Sequence, residues 1–232
     1  EGTKQVCVVG GSNDSGGFLK SMECYDVDED RWSLMSTEFR EERFGMATCV
    51  LAGNVYMVGG YGGAEGWFKQ DVDRYNIEEG VWSRMADMNE AKRRHCAVVL
   101  GDFVYTLGGM SIGIPTLNTV ERLDVTENTW TNVAPMLSAR RYFAACVLEG
   151  CIFVYGGRNT SHQTLSSVER YDPDTDTWST VASMSKKRQD VCGAVLREYI
   201  YTHACGGWDE NAMAFKSVER YDVQKDKWVD VA

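Results

Sequence analysis

The sequence predicts an all-β propeller of four-stranded antiparallel sheets, because double glycines and tryptophans recur with one period along the whole chain. Successive glycine pairs begin 48–50 residues apart, and so do the tryptophans. Such a period indicates repeated units that must stack on one another to bury their faces. The glycine pairs are Gly10 and Gly11, Gly59 and Gly60, Gly108 and Gly109, Gly156 and Gly157, and Gly206 and Gly207. The tryptophans are Trp32, Trp82, Trp130, Trp178 and Trp228.

Each repeat is predicted to contain four short strands. In the second repeat they are expected at residues 45–51, 55–58, about 71–75 and about 81–85. A large residue stands at a fixed interval before each tryptophan, which fits two strands joined by a tight turn. The glycines allow the sharp turn where the second strand leaves the crowded centre, and the tryptophan rings are expected to fill the wedges between sheets.

The repeats define one domain, with boundaries at about 1–38, 39–87, 88–136, 137–184 and 185–232. The first repeat begins at its second strand, so we expect it to lack the innermost one. In the last repeat Tyr201 lies two residues further from its glycine pair than the corresponding aromatics do. This insertion, at His203 and Ala204, predicts a local bulge.

Composition excludes several classes of function. The formal net charge of −10 disfavours nucleic acid as a partner. No apolar run is long enough for a transmembrane helix, and the first residues do not resemble a signal peptide. None of the eight cysteines forms a C-x-x-C pair, so we expect buried free thiols in a reducing compartment, the cytoplasm or the nucleus.

Motifs for catalysis are missing from the sequence. His95, His162 and His203 have no metal-ligand spacing with one another or with cysteine. The glycine pairs do not form a G-x-G-x-x-G or G-K-[ST] loop, and no plausible Ser/His/Asp set stands out. We therefore expect no cofactor, no metal and no enzymatic activity, and near-stoichiometric copper or zinc would contradict this.

Positive charge collects at one position of the repeat, just before the predicted first strand. Nine of the 24 Lys and Arg residues lie there, with Lys187 as a tenth: Arg40, Arg43, Lys92, Arg93, Arg94, Arg140, Arg141, Lys186 and Arg188. Corresponding loops of a propeller share a face, which predicts a basic ring on an acidic body. Each arginine could either bind a ligand or form a structural ion pair. In each pair of adjacent arginines, the second is expected to be the one that is available for binding.

The order of apolar strand, double glycine, Tyr-Asp and tryptophan resembles the kelch repeat over the whole chain. The segments SVERYDPDTDTW (167–178) and SVERYDVQKDKW (217–228) resemble the repeats of BTB-kelch proteins. That resemblance implies six blades closed by a C-terminal strand, so one blade and that strand are expected to be missing from a fragment. It also implies a substrate-binding propeller whose separate BTB and BACK domains bind a cullin-3 ubiquitin ligase. Other kelch proteins bind actin.

The resemblance further implies a peptide pocket, built by residues before the first strands and after the double glycines. The first set is Phe44, Arg94, Arg141, Tyr142, Arg188 and Gln189. The second set is Ser12, Asn13, Tyr61, Met110, Ser111, Arg158, Asn159, Trp208 and Asp209. The expected function is recognition of a short acidic segment of a substrate protein, and the alternative is an actin-binding scaffold. Arginine suits the first role because its planar guanidinium can donate two parallel hydrogen bonds to a carboxylate.

Overall fold

The computed structural model describes residues 5–63, 66–203 and 217–231, and its regular elements in these ranges are all β-strands. The chain begins with β1 (Gln5–Val9), β2 (Met22–Asp26) and β3 (Arg31–Leu34). It continues with β4 (Arg43–Phe44), β5 (Ala47–Leu51), β6 (Asn54–Val58), β7 (Tyr61–Gly62), β8 (Trp67–Phe68), β9 (Val72–Asn76) and β10 (Val81–Met85). The third and fourth repeats form β11 (Cys96–Leu100), β12 (Phe103–Leu107), β13 (Val120–Asp124), β14 (Thr129–Val133), β15 (Ala144–Leu148), β16 (Cys151–Tyr155), β17 (Val168–Asp172) and β18 (Thr177–Val181). The last four strands are β19 (Cys192–Leu196), β20 (Tyr199–His203), β21 (Val218–Asp222) and β22 (Lys227–Val231).

The strands form five successive antiparallel blades. Blade 1 has three strands, β1 to β3, and blades 2 to 5 have four each, in the order in which they follow along the chain. In blade 2 those strands are β5, β6, β9 and β10, while β4, β7 and β8 make a separate small sheet. The innermost strand β11 lies beside β5 and β15, its counterparts in the neighbouring blades. The all-β kelch-type architecture is thus confirmed, and blade 1 has no innermost strand among the described residues.

Indole groups join neighbouring blades. The N–H groups of Trp130, Trp178 and Trp228 donate to the carbonyls of Ala86, Ala134 and Ala182 in the preceding blade, at 2.9, 2.8 and 2.9 Å. Trp32 of blade 1 is 51% exposed, because the described chain contains no preceding blade to cover it.

The first glycine of each described pair packs against the main chain of the next blade. Gly59 has a φ of 61°, and a Cβ on it would lie 2.6 Å from the carbonyl oxygen of Lys92. Its neighbour Gly60 donates its N–H to that same carbonyl at 2.8 Å. Close approach and a left-handed backbone together require glycine here.

One expectation about the cysteines is wrong. Cys7 and Cys24 are directly opposite in β1 and β2 and form a disulfide. Four others are free thiols, Cys49, Cys96, Cys146 and Cys151, and Cys192 is exposed. The register of a strand pair, which sequence spacing alone does not reveal, brings the two sulfur atoms together.

The expected bulge is not found within β20, since residues from Tyr199 to His203 pair with β19 in unbroken register. Ala204, the other inserted residue, lies outside the described residues. The described part of the chain also contains no helix long and apolar enough to span a membrane.

Candidate functional site

The turn that leads into each innermost strand holds one residue in the left-handed region. These residues are Gly45, Arg94, Tyr142 and Asp190, with φ angles of 64°, 55°, 56° and 49°. The N–H of Arg94 donates to the carbonyl of Gly45 at 2.8 Å, and that of Tyr142 donates to Arg94 at 3.3 Å. The N–H of Asp190 donates to Tyr142 at 2.8 Å. This chain of hydrogen bonds fixes the turns of blades 2 to 5 against one another.

Two residues before each of these turn positions stands a buried cation with a buried carboxylate partner. The nitrogen–oxygen distances are 2.5 Å for Arg43–Asp73, 2.7 Å for Lys92–Glu121, 2.6 Å for Arg140–Glu169 and 3.1 Å for Arg188–Glu219. All four cationic side chains have no exposed surface. Arg140 also donates to the carbonyls of Gly156 and Ser167. Losing one partner of such a pair would leave a buried charge, so these cations hold the loops in place.

Arg188 therefore does not belong to the peptide-binding set, and that prediction is wrong. Its guanidinium donates to the carbonyl and the hydroxyl of Ser217, each at 2.9 Å, as well as to Glu219. It occupies the same repeat position as Arg140, two residues before the left-handed residue. A cation is buried when it stands two residues before the left-handed residue of the turn, whatever its order within a run of basic residues.

Four other arginines gather beside the left-handed turns: Arg93, Arg94, Arg141 and Arg158. We call them the arginine cluster. Among the described residues none of the four has a carboxylate within salt-bridge distance, unlike the four buried cations. Burial lowers the pKa of Arg141, and the other three arginines act in the same direction. The pKa of Arg93 is lowered by burial and by Arg94. Like charges therefore lie close enough to repel one another.

The Nε atoms of Arg93, Arg94 and Arg141 are buried and have no hydrogen-bond partner in the described part of the chain. Partly buried charges without counter-ions are costly, and a bound anion would remove that cost. Among the described residues, the carboxyl group of Asp190 interacts electrostatically with Arg94 and Arg158, although it forms no salt bridge with either. Burial raises its pKa, although Arg94 and Arg158 act in the opposite direction.

Arg141 is the most buried member of the cluster. It is 7% exposed, and its guanidinium donates to the carbonyl of Pro115 at 2.5 Å. A second guanidinium nitrogen lies 2.8 Å from Nδ1 of His162, whose carbonyl oxygen accepts two hydrogen bonds from Arg158. Arg94 instead stacks on the ring of Tyr142, at 4.3 Å, and is the more accessible of the two.

The small sheet of blade 2 adds an aromatic wall beside the cluster. The guanidinium carbon of Arg93 lies 5.7, 4.8 and 4.9 Å from the ring centres of Phe44, Tyr61 and Phe68. Phe18 stacks on Phe44 with a centroid distance of 4.6 Å. Cation–π contacts of this kind orient a guanidinium without neutralising its charge. The site thus places guanidinium groups next to the flat apolar surface of aromatic rings.

Comparison with known proteins agrees with this architecture. A family model described as the KLHDC2/KLHL20/DRC7 Kelch-repeats domain matches residues 2–207, and a Kelch motif model matches residues 187–232. The chain belongs to the kelch-repeat family.

Curated relatives match this kelch chain over shorter stretches. Kelch-like protein 24 of Rattus norvegicus is 34% identical over 107 residues, which cover 45% of this chain and 17% of the relative. Kelch domain-containing protein 3 of Bos taurus is 30% identical over 109 residues, or 45% of this chain and 28% of the relative. Kelch-like protein 36 of Bos taurus is 32% identical over 104 residues, or 45% and 17%. The matches therefore span well under half the length of these relatives.

The arginine cluster and the aromatic wall bring together five of the residues expected in the peptide pocket: Phe44, Tyr61, Arg94, Arg141 and Tyr142. Arg158 joins them through its main chain, which exchanges hydrogen bonds with Arg141 at 2.8 and 3.1 Å. The backbone of Met110 pairs in the same way with Arg93, at 3.0 and 3.1 Å. The pocket residues of blades 2, 3 and 4 are thus neighbours in space.

Other residues of the expected set have local bonding roles. Ser111 donates its hydroxyl to the carbonyl of Ala91 at 2.7 Å. The amide oxygens of Asn13 and Asn159 accept main-chain N–H groups within their own loops. Ser12 forms a bridge with Phe18 in the exposed blade 1 loop, and Gln189 lies 3.5 Å from the hydroxyl of Thr164. Trp208 and Asp209, together with Gly206 and Gly207, lie outside the described residues.

Sequence reasoning placed Arg93 in the basic ring but not in the peptide pocket, and it missed Phe68. Counting from the buried cation identifies Arg93, because it directly follows Lys92 as Arg141 follows Arg140. Phe68 comes from the loop of variable length after the double glycine, where no repeat position predicts its direction. Its role became visible only through the pairing of β7 with β8.

Histidine and cysteine do not form a metal-binding group in the described residues. His95 is buried, and burial lowers its pKa to about 3, with Lys92 acting in the same direction. His162 lies at the surface and supports Arg141.

Proposed function

We propose that this kelch domain is a protein-recognition module, without enzymatic activity, which holds a short acidic segment of a partner protein on the arginine cluster. The observation that carries the proposal is the set of four neighbouring arginines without carboxylate partners in the described chain. A carboxylate-bearing ligand would supply the missing counter-ions, and the guanidinium forks suit bidentate contacts. The aromatic wall would accept an apolar side chain next to the acidic residue.

We further propose that the domain acts as the substrate-binding part of a cullin-3 ubiquitin ligase adaptor in the cytoplasm. The similarity to two kelch-like proteins supports this, and the ligase would bind through a BTB domain elsewhere in the protein. Recognition of an acidic segment does not depend on that assembly, so the two parts of the proposal can be tested separately.

Binding is tested with fluorescein-labelled nine-residue peptides in fluorescence anisotropy titrations. One peptide contains glutamate and leucine among alanines, and the second replaces every glutamate by glutamine. The acidic peptide is expected to bind, with an affinity that falls as salt concentration rises, whereas the glutamine peptide is expected to bind much more weakly. Equal binding of both peptides would contradict the proposal.

The variant R93Q/R94Q tests whether the arginine cluster is the site. Neither guanidinium makes a hydrogen bond or ion pair within the described residues, so the fold should persist. R31Q/K227Q is the matched control, since it removes the same charge from two exposed strand residues. We expect R93Q/R94Q to weaken acidic-peptide binding at least tenfold, roughly 1.4 kcal/mol. The control should change it by less than about twofold.

A further inference from the structure

The arginine cluster keeps a large excess of positive charge within the part of the chain that the structure describes. Its guanidinium groups stay protonated at every pH at which the protein is folded. The carboxyl group of Asp190 interacts with Arg94 and Arg158 but forms no salt bridge with either. A single glutamate in a bound peptide would remove only part of the excess. A phosphorylated side chain brings about two negative charges and three acceptor oxygens at pH 7.

The turns that carry the cluster have described neighbours on both sides. The N–H of Arg94 donates to the carbonyl of Gly45 at 2.8 Å, and the carbonyl of Arg94 accepts from Tyr142 at 3.3 Å. The carbonyl of Tyr142 accepts from the N–H of Asp190 at 2.8 Å. The turns of blades 3 and 4 are thus enclosed between those of blades 2 and 5. Arg94 and Arg141 belong to these enclosed turns, so the excess charge does not arise at an edge of the described blades.

The ring of Tyr142 lies beside two members of the cluster. The guanidinium carbon of Arg94 is 4.3 Å from the centre of this ring, and that of Arg141 is 5.8 Å from it. The ring covers one face of the Arg94 guanidinium, so an anion would approach along the edge, where the N–H donors point. A phosphate at that edge would interact with both guanidinium groups, because both lie within a Debye length of it.

His162 holds two guanidinium groups close together. Its Nδ1 atom lies 2.8 Å from a guanidinium nitrogen of Arg141 and accepts the hydrogen bond, since arginine can only donate. The carbonyl oxygen of the same histidine accepts two bonds from Arg158, at 3.1 and 2.8 Å. Two like charges are therefore held side by side before any ligand binds. Donors that are ordered in advance favour an anion with several oxygens, because binding does not have to order them.

We propose that the segment recognised by the arginine cluster carries a phosphoserine or phosphothreonine, whose phosphate binds between Arg94 and Arg141. Arg93 and Arg158 add to the positive potential around it. These two phosphorylated residues reach about as far from the main chain as glutamate does, so an apolar neighbour in the peptide can still lie on the aromatic wall. Phosphorylation of the partner protein would thereby switch its recognition on. The inference rests on the proposed function, because it names the acidic group of the recognised segment.

Three fluorescein-labelled nine-residue peptides test the inference in anisotropy titrations with the wild-type protein. They contain leucine among alanines and differ only at one central residue, which is phosphoserine, glutamate or serine. We expect the phosphoserine peptide to bind at least about tenfold more tightly than the glutamate peptide, and the serine peptide to bind most weakly. The affinity for the phosphoserine peptide should also fall more steeply as salt concentration rises.

D190N provides a variant that should bind more tightly, a result that misfolding cannot produce. It removes a negative charge beside Arg94 and Arg158, and asparagine tolerates the left-handed φ of 49° at this position. We expect D190N to tighten binding of the phosphoserine peptide on the order of threefold. The gain for the glutamate peptide should be smaller, because the effect grows with the charge of the ligand.

The variant R93Q/R94Q should weaken binding of the phosphoserine peptide more than that of the glutamate peptide, whereas R31Q/K227Q should preserve the preference. Equal binding of the phosphoserine and glutamate peptides would overturn the inference and leave the proposed function standing. Failure of all three peptides to bind the folded wild-type protein would overturn both. A preference for phosphoserine that neither R93Q/R94Q reduces nor D190N increases would place the phosphate elsewhere, and the inference would again be wrong.

Discussion

The hydroxyl group of Tyr155 in β16 lies directly against Gly193 in β19, so that a Cβ atom at residue 193 would overlap it. Tyr155 is fully buried, and blades 4 and 5 meet around its ring, which packs 5.9 Å from that of Trp228. This contact requires glycine for space rather than for an unusual backbone angle, because the φ of Gly193 is not in the left-handed region.

G193A is therefore expected to destabilise the protein by about 1–3 kcal/mol, the usual cost of overpacking a core. Urea unfolding of the variant measures this. Y155F removes the overlapping oxygen and should recover part of the loss in a double-mutant cycle. If G193A lowers the free energy of unfolding equally in the wild type and in Y155F, the Tyr155 hydroxyl is not the reason why residue 193 must be glycine.

His95 makes stability depend on pH. Its folded-state pKa of about 3 lies below the ordinary value of 6.5, so the unfolded chain binds a proton first as the pH falls. The contribution to the free energy of unfolding is complete above pH 6.5 and is lost as the pH falls towards 3. We expect His95 to account for a loss of about 2 kcal/mol between pH 7 and 5. In H95M, which carries the residue found at this position in blade 2, that part of the pH dependence should disappear. An unchanged pH profile in H95M would contradict the assignment.

Two tryptophans provide a matched comparison of the bonds between blades. The indole N–H of Trp178 donates to Ala134 at 2.8 Å, whereas that of Trp82 is buried without a partner among the described residues. W178F should cost more stability than W82F, by about 1 kcal/mol, because it breaks a buried hydrogen bond. Thermal and urea unfolding of both variants measure the difference. Equal losses would mean that ring packing alone determines the contribution of the tryptophans.

Repeat periodicity predicted the blades well, because strand number and order follow from spacings that each repeat shares. In blade 2 the structure places β5, β6, β9 and β10 within one or two residues of the expected strands. Local pattern was sufficient here, since in blades 1, 3, 4 and 5 each strand pairs with the next strand along the chain.

The candidate site was less predictable. Its cations look alike in sequence, yet Arg140 and Arg188 are buried beside glutamates, whereas Arg93 and Arg94 form no salt bridge in the described chain. That distinction depends on which way each side chain points from a left-handed turn. The disulfide was missed for a related reason, because it depends on the register between β1 and β2 rather than on spacing. Loops of variable length, such as the one that supplies Phe68, carry no repeat signal.

Arg140 and Arg94 provide a direct test of this division between structural and functional cations. R140Q leaves Glu169 buried without its counter-ion and should destabilise the protein by about 3–5 kcal/mol. R94Q loses the contact with Tyr142, generally about 0.5–1 kcal/mol, but relieves repulsion from the other three arginines, so its stability should stay within about 1 kcal/mol of the wild type. Urea unfolding at low and high salt measures both. If R94Q proves as destabilising as R140Q, the arginine cluster serves the fold, and the case for an anion-binding face fails.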